Sequence, residues 1–169
     1  MIFLTFLLHF IDYFLECACE TRYQPPKAGL KWWKLYKLTS PIRGRKGVLF
    51  LRRAFLCGMI GYPALELLYR RRTHPAMALA GGIGLAGLTA VYPLTRRWPL
   101  WKAGLLGGAG ITLMEYRLGR RFNRRYQIWD YRKLPLNVRG QVCPQFSAVW
   151  WGISVAVLGV MRGREDGWM

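Results

Sequence analysis

Charged and uncharged residues in this chain are segregated into blocks. Residues 73–95 give 23 consecutive positions without a charged side chain, and residues 140–161 give another 22. A helix rises about 1.5 Å per residue and a bilayer core is about 30 Å thick, so roughly 20 residues suffice to cross it. Neither block alternates with period two, as a half-buried strand would, and neither has the polar face of a soluble helix. The pattern predicts membrane spans at Thr73–Thr95 and Phe146–Met161.

Two shorter uncharged runs, Ala54–Leu65 and Ala103–Met114, are each 12 residues long, with a basic residue before and a glutamate after. A shift of 49 positions lays Arg53 on Lys102, Leu56 on Leu105, Gly58 on Gly107, Gly61 on Gly110 and Glu66 on Glu115. The same shift lays Arg71-Arg72 on Arg120-Arg121, which reads as an internal repeat. Each copy is a Glu-bearing helix followed by an uncharged one. The expected fold is therefore an all-α membrane protein of four transmembrane helices, about 50–70, 75–95, 98–118 and 145–162, arranged as two repeated helical hairpins. Small residues every fourth position on the second span (Ala78, Gly82, Ala86, Ala90) and on the fourth (Ala148, Gly152, Ala156) predict faces for close helix packing.

The remaining segments divide the chain into an N-terminal hydrophobic segment with a basic interfacial tail (1–49), a four-helix transmembrane domain (50–162) and a C-terminal tail (163–169). Met1–Ile11 is uncharged, which leaves a fifth, N-terminal hydrophobic helix over residues 1–18 open. No basic start and no clear cleavage site make it a secretory signal.

Composition narrows the class. The chain has 169 residues, 53% hydrophobic, with 26 Lys plus Arg against 8 Asp plus Glu, a formal net charge of +18. Disorder is excluded by the apolar and aromatic content. Cys17, Cys19, Cys57 and Cys143 have no regular spacing and do not suggest a disulfide scaffold. Trp32, Trp33 and Tyr36 among lysines could stack bases, but the long uncharged blocks argue against nucleic acid as the partner. The positive charge lies outside the spans, where anionic lipid headgroups are the nearest counter-charge. Four spans would place 15 basic residues on one side and 11 on the other, too small a bias to orient the protein.

Candidate chemistry centres on Glu66 and Glu115. A carboxylate near hydrocarbon is costly, and matching positions in two repeats would let both line an inter-repeat route for a substrate or ion. Against this, Glu66 precedes Arg70 by one turn in the favourable acid-then-base order. Pro63, three residues before Glu66, is expected to kink or loosen the first span. The stretch Gly119–Pro144, GRRFNRRYQIWDYRKLPLNVRGQVCP, is basic and aromatic. Its Arg120, Arg121, Arg124 and Arg125 suit lipid phosphates. Trp129 and Tyr131 suit the headgroup level, Asp130 should pair with a neighbouring arginine, and Pro135, Asn137 and Gly140 are turn chemistry. The crowding of specific residue types predicts a defined loop over the bundle mouth. His74-Pro75 reads as a cap on the second span. Cys57 and Cys143 read as packing residues, while Cys17 and Cys19 could accept acyl chains. No metal-ligand spacing, cofactor motif or nucleophile–base set is present, so no cofactor and no enzymatic activity are expected.

The segments WDY (129–131), LPLNVRGQVC (134–143) and Trp151-Gly152 resemble the signature of a bacterial integral-membrane family, the type IV or CmpB-like ABC-transporter permeases. GYPALELLYRRRTHPAMALAGG (61–82) is similar to that family's Glu-bearing first hairpin and its THxxMA turn. Arg132 and Leu136 replace the family's Ser and Phe, and Arg139 precedes rather than follows Gly140. The resemblance covers roughly residues 51–161 and implies a multi-pass protein of the bacterial inner membrane. It also implies a membrane subunit of a transport system, with Trp129, Asp130, Tyr131, Asn137, Gly140 and Cys143 as its signature loop. The chain has no G-x-x-x-x-G-K-[ST] loop, so ATP hydrolysis would fall to a separate ATPase subunit, and so few spans point to that partner or a homo-oligomer. The competing class is a non-transporting membrane scaffold or regulator that binds anionic lipid or a larger complex through its basic loops. An intramembrane enzyme is a third, with only the glutamates and Asp130 as acids.

Overall fold

The computed structural model describes residues 45–165 and is all-helical there, with four helices and no strand. These are α1 (Arg45–Arg70), α2 (Pro75–Thr95), α3 (Leu100–Phe122) and α4 (Pro144–Glu165). The N-terminal hydrophobic segment, the basic tail up to residue 44, Cys17 and Cys19, and residues 166–169 lie outside the described residues, while 45–49 and 163–165, expected as tail, belong to α1 and α4.

Proline punctuates the chain where helices begin. Pro75 opens α2, Pro99 caps α3 and Pro144 is the first residue of α4. A proline there forfeits only an N–H that the first turn leaves unpaired. His74 caps α2 as its position predicts, its Nδ1 accepting the Ala76 N–H at 3.1 Å. Pro63 lies inside α1, which remains helical through Arg70.

The helices pack as two antiparallel hairpins, α1 on α2 and α3 on α4, with α2 against α3 as the main contact between them. The hairpin order agrees with the sequence expectation. The core between them holds Leu88 and Tyr92 of α2, Ala103 and Ile111 of α3, and Val157, Leu158 and Met161 of α4. Large apolar side chains also cover the outside: Leu56 and Ile60 on α1, Ile83 on α2, Leu105 and Leu113 on α3, Val149 on α4. A soluble bundle would place polar residues there. Such a surface fits hydrocarbon. Gly47–Leu68, Pro75–Thr95 and Pro144–Gly163 are long and apolar enough to cross a membrane. The 23-residue α3 has the length, but it carries Lys102, Glu115, Arg117, Arg120 and Arg121.

The small-residue faces are only partly where their spacing places them. Gly82 is buried against Phe55 and Met59 of α1, but Gly152 on α4 is exposed and faces open space. The close approach between α3 and α4 is made by α3. A Cβ on Gly108 would lie 2.8 Å from the Trp151 Cα, and one on Gly104 only 2.2 Å from Val155 Cγ2. Bulk on α4 therefore meets glycine on α3, while Ala148 and Gly152 are exposed and the half-buried Ala156 packs against the core.

Candidate functional site

The ends of α1 and α3 and the starts of α2 and α4 meet at one end of the bundle, where the 21-residue connection 123–143 crosses over them. Asn123, at the C-cap of α3 and 1% exposed, organises that connection. Its Nδ2 donates to the Trp129 carbonyl at 2.5 Å and to Gln141 Oε1 at 3.3 Å, and its Oδ1 accepts the Ile128 N–H at 2.9 Å. Gln141 returns a bond from Nε2 to the Asn123 carbonyl at 3.2 Å. Gly119 makes the space for this, since a Cβ there would lie 2.2 Å from Gln141 Oε1.

The signature residues fold locally around this pair. Asn137 accepts the Gly140 N–H at 2.8 Å and donates to the Leu134 carbonyl at 2.8 Å, closing a tight turn. Gly140 has φ +64°, in the left-handed region that glycine tolerates, and a Cβ would press on Arg132 and Tyr126. Asp130 pairs with Arg132, as expected of the one acid in a basic loop, through donors Nε and Nη2 at 2.9 and 2.7 Å. These bonds, with the Arg132 backbone N–H, hold the Asp130 carboxyl down at about 2. Trp129 is buried and donates from Nε1 to the Gln141 carbonyl at 2.9 Å, and Cys143 is a buried packing residue.

Tyr131 reaches into the bundle. Its hydroxyl donates to Glu115 Oε1 at 3.0 Å, and its ring stacks on Phe146 at 4.6 Å. Trp150 of α4 donates from Nε1 to the other oxygen, Oε2, at 2.9 Å. Glu115 is 6% exposed, and both of these partners are uncharged. It sits on the wall of a central cavity of about 140 Å³ between the two hairpins. Tyr62 of α1, Leu85 and Leu88 of α2, Ile111 of α3, Trp129 of the loop and Trp150 of α4 line the same space.

The two repeat-related glutamates thus differ. Both are buried at the loop end of the bundle, but Glu66 is spent on Arg70, one turn on, and on Thr73 Oγ1 at 2.8 Å. Glu66 does not line the cavity. Arg120, Arg121, Arg124 and Arg125 are exposed on the last turn of α3 and the start of the connection. Arg121, Arg124 and Arg125 border a surface groove with His74.

Sequence reasoning missed Asn123, Gln141, Tyr62 and Trp150. Tyr62 precedes Glu66 by one turn on α1, a weak signal. Nothing in the spacing joins Trp150 to Glu115, 35 positions away.

The structure defines an apolar helical membrane bundle with one carboxylate facing a cavity between the hairpins and a hydrogen-bonded loop across that end. Residues 55–164 match the family described as "Putative ABC-transporter type IV", and the chain belongs to that family. No curated protein and no solved structure matches the chain.

Proposed function

We propose that the protein is the integral membrane subunit of a transport system, that a separate subunit hydrolyses ATP, and that the route through the protein passes Glu115. The observation that carries this reading is the Glu115 carboxylate, buried on the cavity wall and held, among the described residues, by the Tyr131 hydroxyl and the Trp150 indole. A structural carboxylate in an apolar bundle is better served by a cation, as Glu66 is by Arg70. Left with neutral donors, the Glu115 carboxyl has no cationic partner among the described residues and is open to one that enters. In this reading the two hairpins are copies of one unit. A buried glutamate near the loop end of the first helix of each supports that duplication, with Glu115 as the working copy and Glu66 as the structural one. The chain itself performs no catalytic step, and it acts in the bacterial inner membrane with an ATPase or as a homo-oligomer.

The test is affinity purification of the full chain in mild detergent followed by mass spectrometry. A nucleotide-binding subunit should co-purify at near-stoichiometric yield. Recovery of only lipid, or of a complex without any ATPase, overturns the transport reading. It would favour the second reading, a scaffold bound through the four exposed arginines at the loop end.

A further inference from the structure

We propose that the central cavity binds a small organic monocation, an ammonium group carried on an apolar body about the size of one aromatic ring. This deepens the transport reading and rests on it for the cation's role as cargo. At about 140 Å³ the cavity is close to the engineered apolar cavity of about 150 Å³ that admits benzene. Its wall is almost wholly hydrocarbon and aromatic ring, so the body of the ligand must be apolar.

Among the described residues that line the wall, Glu115 is the one acidic or basic side chain. Tyr62 and Trp150, with ring centroids 5.7 Å apart, and Trp129 line the same space. Aromatic rings beside a single carboxylate suit an organic ammonium, which gains from both. Other occupants fit less well. Calcium and magnesium want six or more oxygen ligands and zinc three or four His, Cys or carboxylate ligands, whereas the wall offers one carboxylate beside rings and aliphatic chains. An anion meets the carboxylate, and a neutral hydrocarbon leaves it without a counter-charge.

Benzylammonium, benzyl alcohol and benzoate are near-isosteric and carry charges of plus one, zero and minus one. Each is titrated calorimetrically into the full chain in a neutral detergent, with the heat of empty micelles subtracted. Benzylammonium should bind about tenfold or more tightly than benzyl alcohol, and benzoate should not bind. Glu115→Gln should bring benzylammonium down to the level of the alcohol. Gly84→Phe keeps the carboxylate and fills the space, because a Cβ there meets only Ile111 Cγ1 at 3.9 Å. It should abolish binding of both, and it decides the matter if Glu115→Gln does not fold.

Equal affinity for the alcohol, no binding by wild type, or benzylammonium binding that survives Gly84→Phe overturns the proposal. An ATPase that co-purifies with a chain that ignores benzylammonium removes the substrate class and leaves transport standing. Charge-selective binding without any ATPase leaves the site and removes transport.

Discussion

Asn123 shows how much of the loop hangs on one side chain. It is almost fully buried and serves the Trp129 carbonyl, the Ile128 N–H and Gln141 at once. Removing it strands a buried backbone acceptor, which costs about 1–3 kcal/mol, and a part-buried donor, which costs less. Asn123→Ala should therefore lower the unfolding midpoint in detergent and speed proteolysis within 124–142, while Asn137→Ala, on the more exposed turn, should do less. A midpoint equal to wild type would remove Asn123 from this role. Asp130 gives a pH prediction with the opposite locality. Its carboxyl is lowered from 3.8 to about 2 by the Arg132 bonds, so the pair's contribution is complete above the unfolded value and lost only as pH falls through about 2. Carboxyl carbon NMR should find Asp130 titrating near 2, and near 4 in Arg132→Ala. The Asp130–Arg132 pair and the Asn137–Gly140 turn were readable from the sequence because their partners are two or three residues apart. Asn123 and Gln141, 18 residues apart, were not, since an amide pair leaves no periodic trace.

Helices α1 and α2 meet backbone to backbone. A Cβ on Gly58 would lie 2.1 Å from the Gly81 carbonyl oxygen, and one on Gly81 would lie 2.3 Å from that of Gly58. Neither oxygen can turn aside as a flexible side chain would, so either alanine must push the helices apart. Gly58→Ala should destabilise the bundle by about 1–3 kcal/mol, the range for overpacked cores. Gly110→Ala, with nothing near its added Cβ, should stay within about 1 kcal/mol of wild type and favour the helix. Unfolding by a graded denaturing detergent, on both variants side by side, measures the contrast. Equal effects would mean that the crossing is not as close as the backbone places it. Helix extents were legible at this scale: Thr73–Thr95 was expected as a span, and α2 is Pro75–Thr95. Packing faces were less so. Spacing identified Ala148, Gly152 and Ala156 as a face, yet Gly152 points outward while α4 offers Trp151 and Val155 to glycines of α3. A stripe of small residues says that close approach is possible. It does not say which neighbour is small in return.

At the scale of the whole molecule, two sets of charged groups occupy one end of the bundle and do not share residues. Inside is Glu115, reached by Tyr131 and Trp150. Outside are Arg120, Arg121, Arg124 and Arg125, all exposed, where α3 leaves the bundle. The excess of positive charge in the chain suits an anionic surface and does not point to Glu115. The structure keeps the four arginines apart from that carboxyl, because none of them lines the cavity. Each basic residue near an anionic leaflet contributes about 1 kcal/mol, and salt weakens it as the Debye length falls below about 10 Å. Protein reconstituted with phosphatidylglycerol should therefore melt at a higher temperature than with phosphatidylcholine, and the difference should shrink as salt rises from about 0.1 to about 0.5 M. Replacing the four arginines with glutamine should remove most of that difference and leave benzylammonium binding unchanged. If benzylammonium affinity moved with the arginines, the loop and cavity would act as one electrostatic unit. Persistence of the lipid preference in the quadruple variant would instead place it at the other end, where Arg162 donates to the Trp98 carbonyl at 2.9 Å and Lys102 lies over the Trp101 ring at 5.3 Å.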